Sequence, residues 1–393
     1  MKILYSVQAT GNGHISRASE ILPFLKEYGE VDVFLSGSNA NLPVELPVKY
    51  RSTGISLFYK EAGGLDFWKI IKHLKPWQLM IQAFKLPVEE YDLIINDFEC
   101  ITSVACRLKK IPSVQIGHQA SFQYSESPRP YSRNSIGEWV LRNYCHATAH
   151  IGFHFQPYHP NILPPIIKES IRKTNNCTQS KVLIPNQTAH ITVYLPQYSY
   201  KELVKYFRSL SFVKVHLFSA EIQKSFTEDN ITFYPLAKET FSLSLCSSIG
   251  LITAGGFETP AEGLFLKKRM IIIPIKNQYE QECNAAALEK LGCLVLKEIR
   301  VDFGKTICEF FGIKPHHILL TENANGLNEY YSEWTNERII DEAMKIALKY
   351  TNTSRKSKNR LNSHEIPEPA ATAVFGDTNT NFPLESSAIN IIP

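Results

Sequence analysis

The sequence has no closely spaced cysteine pair, no long apolar run and little excess of charge. It contains eight cysteines in 393 residues, but none forms a C-x-x-C pair, so we expect reduced, mostly buried thiols rather than a zinc or redox centre. No apolar stretch approaches the ~20 residues of a membrane-spanning helix. The apolar run at the N-terminus is also too short for a signal peptide. We therefore expect a cytoplasmic protein.

Charge of either sign is not concentrated over most of the chain. The formal net charge is +4 in 393 residues, so the clustered basic face that a nucleic-acid partner usually requires is not expected. Residues 351–393 differ, because they mix Pro, Glu, Ala, Thr and Asn without a period. That composition cannot bury enough apolar surface to offset the loss of chain entropy, so we predict that these residues are disordered.

Short apolar runs alternate with helical patterns in both halves, which is typical of parallel sheets with crossover helices. In the first half the predicted strands are residues 2–7, 31–35, 93–96 and 113–116. In the second half they are residues 190–194, 214–218, 231–233, 249–253 and 270–273. We predict an α/β protein in which two Rossmann-like domains face a central cleft. Their predicted bounds are residues 1–178, joined by a last helix over residues 329–350, and residues 182–328.

The first predicted strand ends in a glycine loop that carries a histidine. Gly11 and Gly13 match the first two glycines of a dinucleotide fingerprint, but Ser16 stands where the third would be, so that signal alone is weak. His14 follows at the predicted start of a helix. A neutral imidazole there can accept a proton, and His14 is therefore a candidate general base.

A histidine base needs a partner that orients the ring and stabilises its charged form. Asp97 follows the predicted strand 93–96 and is the candidate for this role. Asp97 could instead cap the helix that follows, since Asp is a favoured capping residue. Glu99 is a weaker candidate for the partner.

A second glycine loop lies in the other half of the chain. The predicted strand 249–253 runs into Gly255 and Gly256, and the helix that follows carries Glu262 after its first turn. Glycines let the backbone approach a diphosphate closely, and a helix N-terminus offers unpaired N–H groups and a positive dipole end. This pattern is typical of half of a nucleotide-sugar site.

These residues resemble the donor-binding region of nucleotide-sugar glycosyltransferases with the GT-B fold. The likeness is to the UDP-glycosyltransferase and MurG-like group and its bacterial branch, and it covers residues 231–295 and the N-terminal loop. It implies an inverting transfer from a nucleotide-sugar donor, in particular a UDP-sugar, to a hydroxyl acceptor. No Asp-x-Asp pair occurs, so neither a metal ion nor another cofactor is expected. The resemblance makes His14 the base, Asp97 its partner and Glu262 the ribose ligand.

The resemblance also assigns the donor contacts. They are Gly11, Gly13, Leu236, Gly255, Gly256, Phe257, Glu258, Thr259, Glu262, Gln278, Glu280 and Gln281. Glu258 could instead cap its helix, and Phe257 could be a core residue. Ala254 stands where plant-type members carry a phosphate-contacting histidine, so the diphosphate would rely on backbone N–H groups and on Thr259.

Other functions stay open at this point. An epimerase or hydrolase on the same fold would act without an acceptor, and Ala254 leaves room for a non-catalytic nucleotide-sugar-binding protein. A dinucleotide-dependent oxidoreductase is disfavoured by the missing third glycine.

The acceptor is also open. Aromatic residues and lysines interleave over residues 56–85. Such a stretch suits peripheral contact with the inner face of a membrane, where a lipid-linked acceptor would be found. It equally suits a segment that lines the acceptor site or belongs to the core, with its lysines reaching solvent.

His146, His150 and His154 recur at a spacing of four. On a helix they would share one face, but Gly152 weakens the helix and no carboxylate accompanies them, so a zinc site is not favoured.

Overall fold

The computed structural model describes residues 1–9, 12–37, 46–52, 54, 76–178, 189–314, 317–318, 331 and 333–362. Residues Met1–Ser354 form one compact unit, and Arg355–Pro393 form a second, of which residues 355–362 are described. Within the described residues, each half of the chain forms one seven-stranded sheet whose strands are connected mostly by helices. No helix among these residues is long and apolar enough to cross a membrane.

The first sheet is parallel throughout. Its strands are β1 (Lys2–Gln8), β2 (Glu30–Ser36), β3 (Val48–Ser52), β4 (Leu93–Asp97), β5 (Val114–Gly117), β6 (Ala149–Phe153) and β7 (Ile162–Leu163). They lie in the order β3-β2-β1-β4-β5-β6-β7. The helices of this half are α1 (Asn12–Leu25), α2 (Pro76–Lys85), α3 (Cys100–Lys109), α4 (Ser135–Asn143) and α5 (Glu169–Thr178).

The second sheet is parallel except at one edge. Its strands are β8 (His190–Tyr194), β9 (Lys214–Phe218), β10 (Phe226–Glu228), β11 (Ile231–Tyr234), β12 (Gly250–Thr253), β13 (Arg269–Ile272) and β14 (Leu294–Val295). They lie in the order β10-β11-β9-β8-β12-β13-β14, and only β10 runs antiparallel to its neighbour. A small antiparallel pair, β15 (Ile313–Lys314) and β16 (His317–Ile318), follows in the chain.

The helices of the second half are α6 (Tyr200–Phe207), α7 (Lys238–Ser247), α8 (Glu258–Phe265), α9 (Tyr279–Lys290) and α10 (Phe303–Phe311), and α11 (Asn336–Asn362) ends the described chain.

One apolar cluster contains Val7 and Ile15 of the first half together with Phe257 and Ala261 of the second. The end of β1 with the start of α1, and the loop after β12, therefore lie where the two halves pack together. In doubly wound sheets, such carboxyl ends of strands are the usual place for a ligand.

The predicted α/β fold with two Rossmann-like halves is confirmed, and each predicted strand lies within a residue or two of an observed one. The segment that carries the three spaced histidines is not helical. His150 lies in β6, whereas His146 precedes this strand and His154 follows it.

The last helix differs from the predicted 329–350. It begins at Asn336, where the hydroxyl of Thr335 accepts a hydrogen bond from the N–H of Arg338 at 3.1 Å and so caps the first turn. Residues 351–362, predicted as part of a disordered tail, continue this helix, which contains neither Pro nor Gly. The prediction for residues 363–393 lies outside the described residues.

Candidate active site

The N-termini of two helices, one from each half of the chain, meet between the sheets. α1 follows β1, and α8 follows β12. A Cβ atom added to Gly13 would lie 3.4 Å from Cγ of Glu258, so α1 and α8 are in van der Waals range of each other here. Helix N-termini carry unpaired N–H groups and a positive dipole end, so this meeting point favours an anion.

His14 lies in the first turn of α1, and Asp97 is the last residue of β4. Nδ1 of His14 is 3.0 Å from Oδ1 of Asp97, which is fully buried. Gly117 on β5 provides room for this carboxylate, because a Cβ atom there would lie 2.6 Å from Oδ1 of Asp97. The contact uses Nδ1, so Nε2 lies on the other side of the ring, where the side-chain amide of Gln119 is 3.5 Å away. The structure therefore brings the predicted base and its predicted partner together.

Arg17 is the central cation of this cluster, and the sequence analysis assigned it no role. It is buried, and its Nη2 donates to the two oxygens of Asp97 at 2.7 and 2.9 Å. Its Nη1 donates to the carboxylate of Glu258 in the other half. Burial opposes ionisation of Asp97, but the charges of Arg17 and His14 outweigh it and lower the pKa of Asp97.

The capping role considered for Asp97 belongs to Glu99. The two carboxylate oxygens of Glu99 accept hydrogen bonds from the N–H groups of Ile101 and Thr102, at 2.8 and 2.6 Å. This is the N-cap of α3. Burial raises the pKa of Glu99, although both hydrogen bonds oppose the shift. Asp97 is therefore available to His14, and Glu99 has a structural role.

Two amide side chains of α9 hold the glycine loop that precedes α8. The N–H of Gly255 donates to Oε1 of Gln281 at 3.0 Å, and Nδ2 of Asn284 donates to the carbonyl of Gly255 at 3.0 Å. Oε1 of Gln281 also accepts from the N–H of Ile275 at 3.0 Å. The oxygen of Gln281, a predicted sugar contact, is thus bound to the protein backbone. A Cβ atom on Gly256 would meet no described atom within 4 Å, so this part of the loop borders open space.

Glu258 and Glu262 lie one turn apart on α8, and each contacts a cation from the first half. Glu258 contacts Arg17, and Oε1 of Glu262 lies 2.9 Å from Nζ of Lys168, a residue that the sequence analysis did not single out. Burial raises the pKa of Glu258 to about 7, against the opposing charge of Arg17 and with a contribution from Glu262. Oε2 of Glu262 is buried and has no hydrogen-bond partner among the described residues.

The capping role considered for Glu258 is not observed, because Phe257 is the N-cap residue of α8 and no side chain bonds there. The ring of Phe257 stacks on His118 with centroids 3.8 Å apart and an interplanar angle of 6°. Nε2 of His118 lies 2.8 Å from Oδ1 of Asn284. Burial lowers the pKa of His118 to about 4, so its ring is neutral near pH 7. This contact gives Phe257 a packing role between the two halves.

Gln119 and Glu280 lie opposite each other, next to His14. Nε2 of Gln119 donates to Oε1 of Glu280 at 3.0 Å and lies 3.5 Å from Nε2 of His14. Gln119 is buried, whereas the Glu280 side chain is 24% exposed. Glu280, a predicted sugar contact, is therefore close to the predicted base and remains accessible.

The other predicted contacts are more peripheral. Leu236 packs against the apolar cluster that contains Val7 and Phe257. Thr259 is half-buried in the first turn of α8. Gln278 precedes α9, and its buried Oε1 has no hydrogen-bond partner among the described residues. Gly11 lies outside the described residues. In the described part of the chain, no group of three His, Cys, Asp or Glu side chains could hold a metal ion.

Solved glycosyltransferases share this architecture. Arabidopsis thaliana UGT89C1, in a complex with UDP, aligns with a TM-score of 0.58 and 11% identity over 89% of this chain and 99% of its own. The spinosyn forosaminyltransferase SpnP aligns with a TM-score of 0.55 and 15% identity, over 88% and 99%. SnogD from Streptomyces nogalater aligns with a TM-score of 0.52 and 12% identity, over 88% and 99%. At these identities the likeness shows the fold, which is GT-B.

Sequence comparison gives the family. No curated protein sequence matches this chain. Residues 1–311 match the family described as Glycosyl transferase family 1, and this match covers well over half of the 393 residues. The chain therefore belongs to glycosyl transferase family 1 and is a glycosyltransferase with the GT-B fold.

Proposed function

We propose that this glycosyltransferase transfers a sugar from a UDP-sugar to a hydroxyl acceptor with inversion at the anomeric carbon. The observation that carries the proposal is the contact between His14 and Asp97 beside the glycine loop of α8. The acceptor oxygen bonds to the anomeric carbon as its proton passes to Nε2 of His14. The bond from that carbon to the diphosphate oxygen breaks on the opposite face, and Asp97 stabilises the imidazolium that forms.

The donor would lie against α8. Gly256 borders open space at the N-terminus of this helix, where N–H groups can hold the diphosphate although Ala254 supplies no polar side chain. Oε2 of Glu262, which has no hydrogen-bond partner in the described part of the chain, can accept a hydrogen bond from a ribose hydroxyl. Fixed N–H dipoles directed at the developing charge of the leaving group are commonly the largest catalytic contribution.

We also propose that transfer needs no divalent ion. The negative charge of the leaving diphosphate would be stabilised by the N–H groups and positive dipole ends of the helix N-termini. The sequence contains no Asp-x-Asp pair. Transfer that persists at full rate in excess EDTA is the expected result.

The acceptor we propose is lipid-linked. α2 exposes Trp77, Met80, Ile81 and Phe84 at helical spacing i, i+3, i+4 and i+7, so they form one apolar face. The helix contains no acidic residue and ends in Lys85. An apolar face with basic and no acidic charge suits the surface of an anionic membrane.

The shift in melting temperature with UDP, dTDP, GDP, UDP-sugars and NAD, measured in parallel, tests the donor assignment. A ligand that binds only the native state raises this temperature by mass action. We expect a rise with UDP and UDP-sugars and none with NAD. A protein that responds to none of the nucleotides would contradict the proposal.

A second assay separates transfer from the other reactions on this fold. The UDP-sugar that raises the melting temperature most is incubated with and without a panel of hydroxyl acceptors, and the sugar products are identified. Acceptor-dependent product supports transfer. Free sugar or an epimerised donor, formed equally without acceptor, would favour a hydrolase or an epimerase.

A further inference from the structure

Gln119 has a position that the assigned contacts do not explain. It belongs to the 3₁₀ helix His118–Gln123, which follows β5 in the first half. Its Nε2 lies 3.0 Å from Oε1 of Glu280, in the other half, and 3.5 Å from Nε2 of His14. The side chain thus lies between the predicted base and the predicted sugar ligand.

The amide oxygen of Gln119 is buried and has no hydrogen-bond partner among the residues that the structure describes. The opposite orientation of the amide would place this oxygen against the carboxylate of Glu280, so the nitrogen faces Glu280 and the oxygen faces away from it. A buried acceptor without a partner is costly, and most are satisfied in native structures. The group that would satisfy Oε1 of Gln119 must be a hydrogen-bond donor.

The surroundings of Gln119 are fixed by packing. The preceding residue, His118, stacks on Phe257 and contacts Asn284, so the start of the 3₁₀ helix is held against the second half. The hydroxyl of Ser121 donates to the carbonyl of His118 at 2.6 Å and closes the same turn. A side chain held in this way loses little freedom when a ligand binds, as a specificity-determining group requires.

We propose that Gln119 is a specificity-determining residue for the transferred sugar, and that its Oε1 accepts a hydrogen bond from one sugar hydroxyl. This inference rests on the proposed transfer from a nucleotide sugar. A sugar whose anomeric carbon faces His14 and whose hydroxyls reach Glu280 passes directly beside Gln119. The donor site would therefore be completed by a residue from the first half of the chain.

The test uses the UDP-sugar that the enzyme transfers and its monodeoxy analogues, each lacking one hydroxyl. The wild type is compared with Gln119→Met, which keeps the length of the side chain and removes its hydrogen bonds. Gln123→Met is the matched control, because Gln123 ends the same 3₁₀ helix but bonds to the carbonyl of Arg142. Far-ultraviolet circular dichroism and melting temperature establish that both variants are folded, and Gln119→Ala replaces Gln119→Met if the latter is not.

We expect the wild type to lose at least roughly tenfold in kcat/KM with one deoxy donor, since a site built to bind a hydroxyl rejects the analogue that lacks it. Gln119→Met should lower kcat/KM for the parent donor more than that for the deoxy donor, so that the ratio between the two donors falls toward one. The Gln123→Met control should retain the discrimination of the wild type. Equal discrimination by Gln119→Met and the wild type would overturn the inference alone. A wild type that transfers no sugar would overturn the proposed function together with it.

Discussion

At the scale of single residues, the site depends on charges that meet across the two halves. Arg17 and Glu258 are 241 residues apart in sequence, and Lys168 pairs with Glu262 in the same way. Removing one partner of a buried pair leaves an uncompensated charge, which is strongly destabilising. These four side chains therefore link α8 to the half that carries His14.

The first prediction concerns the ribose ligand. Glu262→Gln should weaken UDP binding by about 1–3 kcal/mol, because the ribose hydroxyl loses a charged hydrogen-bond acceptor. Isothermal titration calorimetry measures the change. Glu298→Gln, an exposed position in the same half, is the control and should bind UDP like the wild type. Unchanged affinity in Glu262→Gln would place the ribose elsewhere.

The sequence indicated His14, Asp97 and Glu262 as candidates because each follows a predicted strand end or glycine loop. It could not identify Lys168 or Gln119, because their importance depends on which distant residue they meet. Sequence position alone does not give that contact. Arg17 had a local signal, since a residue three positions after His14 on a helix lies on the same face.

At the scale of the elements, most strands with both faces buried were predictable, whereas β6 was missed although four of its five residues are buried. All five residues of β4 and all four of β12 are buried, and the apolar residues 93–95 and 251–252 mark these strands in the sequence. β3 was missed because its residues alternate between half-buried and exposed and include Lys49 and Arg51. β7 and β14 have two residues each, which is too short for a pattern.

The second prediction concerns the exposed face of α2. The double variant Trp77→Glu/Phe84→Glu should lose binding to vesicles that contain anionic phospholipid, because both side chains are exposed and would lie at the lipid surface. Vesicle sedimentation measures bound protein. A double variant with the same substitutions at Phe212 and Val301, which are exposed in the other half, is the control. Equal vesicle binding by the α2 variant and the wild type would contradict membrane contact through α2.

The third prediction concerns the attachment of α11. The side chain of Asn336 donates to the carbonyl of Ile167 at 2.7 Å and accepts from its N–H at 3.1 Å, and all of these groups are buried. Asn336→Ala should lower the free energy of unfolding by about 2–4 kcal/mol, since both backbone groups of Ile167 lose their partners.

Urea unfolding measures the loss in Asn336→Ala. The comparison variant is Asn134→Ala, which removes the exposed N-cap of α4 and should cost only about 1 kcal/mol. Equal losses in the two variants would mean that Asn336 does not attach α11 through Ile167.

At the scale of the whole molecule, the stability of the folded protein should depend on pH through Glu258, which contacts Arg17 in the other half. The raised pKa of Glu258, about 7, means that its protonated form is favoured in the folded protein relative to the unfolded chain. The resulting stabilisation is full below the unfolded pKa of about 4.5. It is lost as the pH rises through about 7.

The fourth prediction follows from this linkage. Between pH 5.5 and 8, the melting temperature of the wild type should fall more than that of Glu258→Gln, in which position 258 no longer titrates. Differential scanning calorimetry at matched ionic strength measures both. Parallel pH profiles for the two proteins would show that Glu258 does not contribute to the pH dependence of stability.

The central claim is that His14 removes the acceptor proton in transfer of a sugar from a UDP-sugar. The most direct test is kcat for transfer by His14→Ala and by the wild type, with UDP affinity measured on both proteins. The account predicts that kcat falls by roughly 10²–10⁴-fold, the range for loss of a general base, while UDP affinity is unchanged. Turnover of His14→Ala at the rate of the wild type would contradict it.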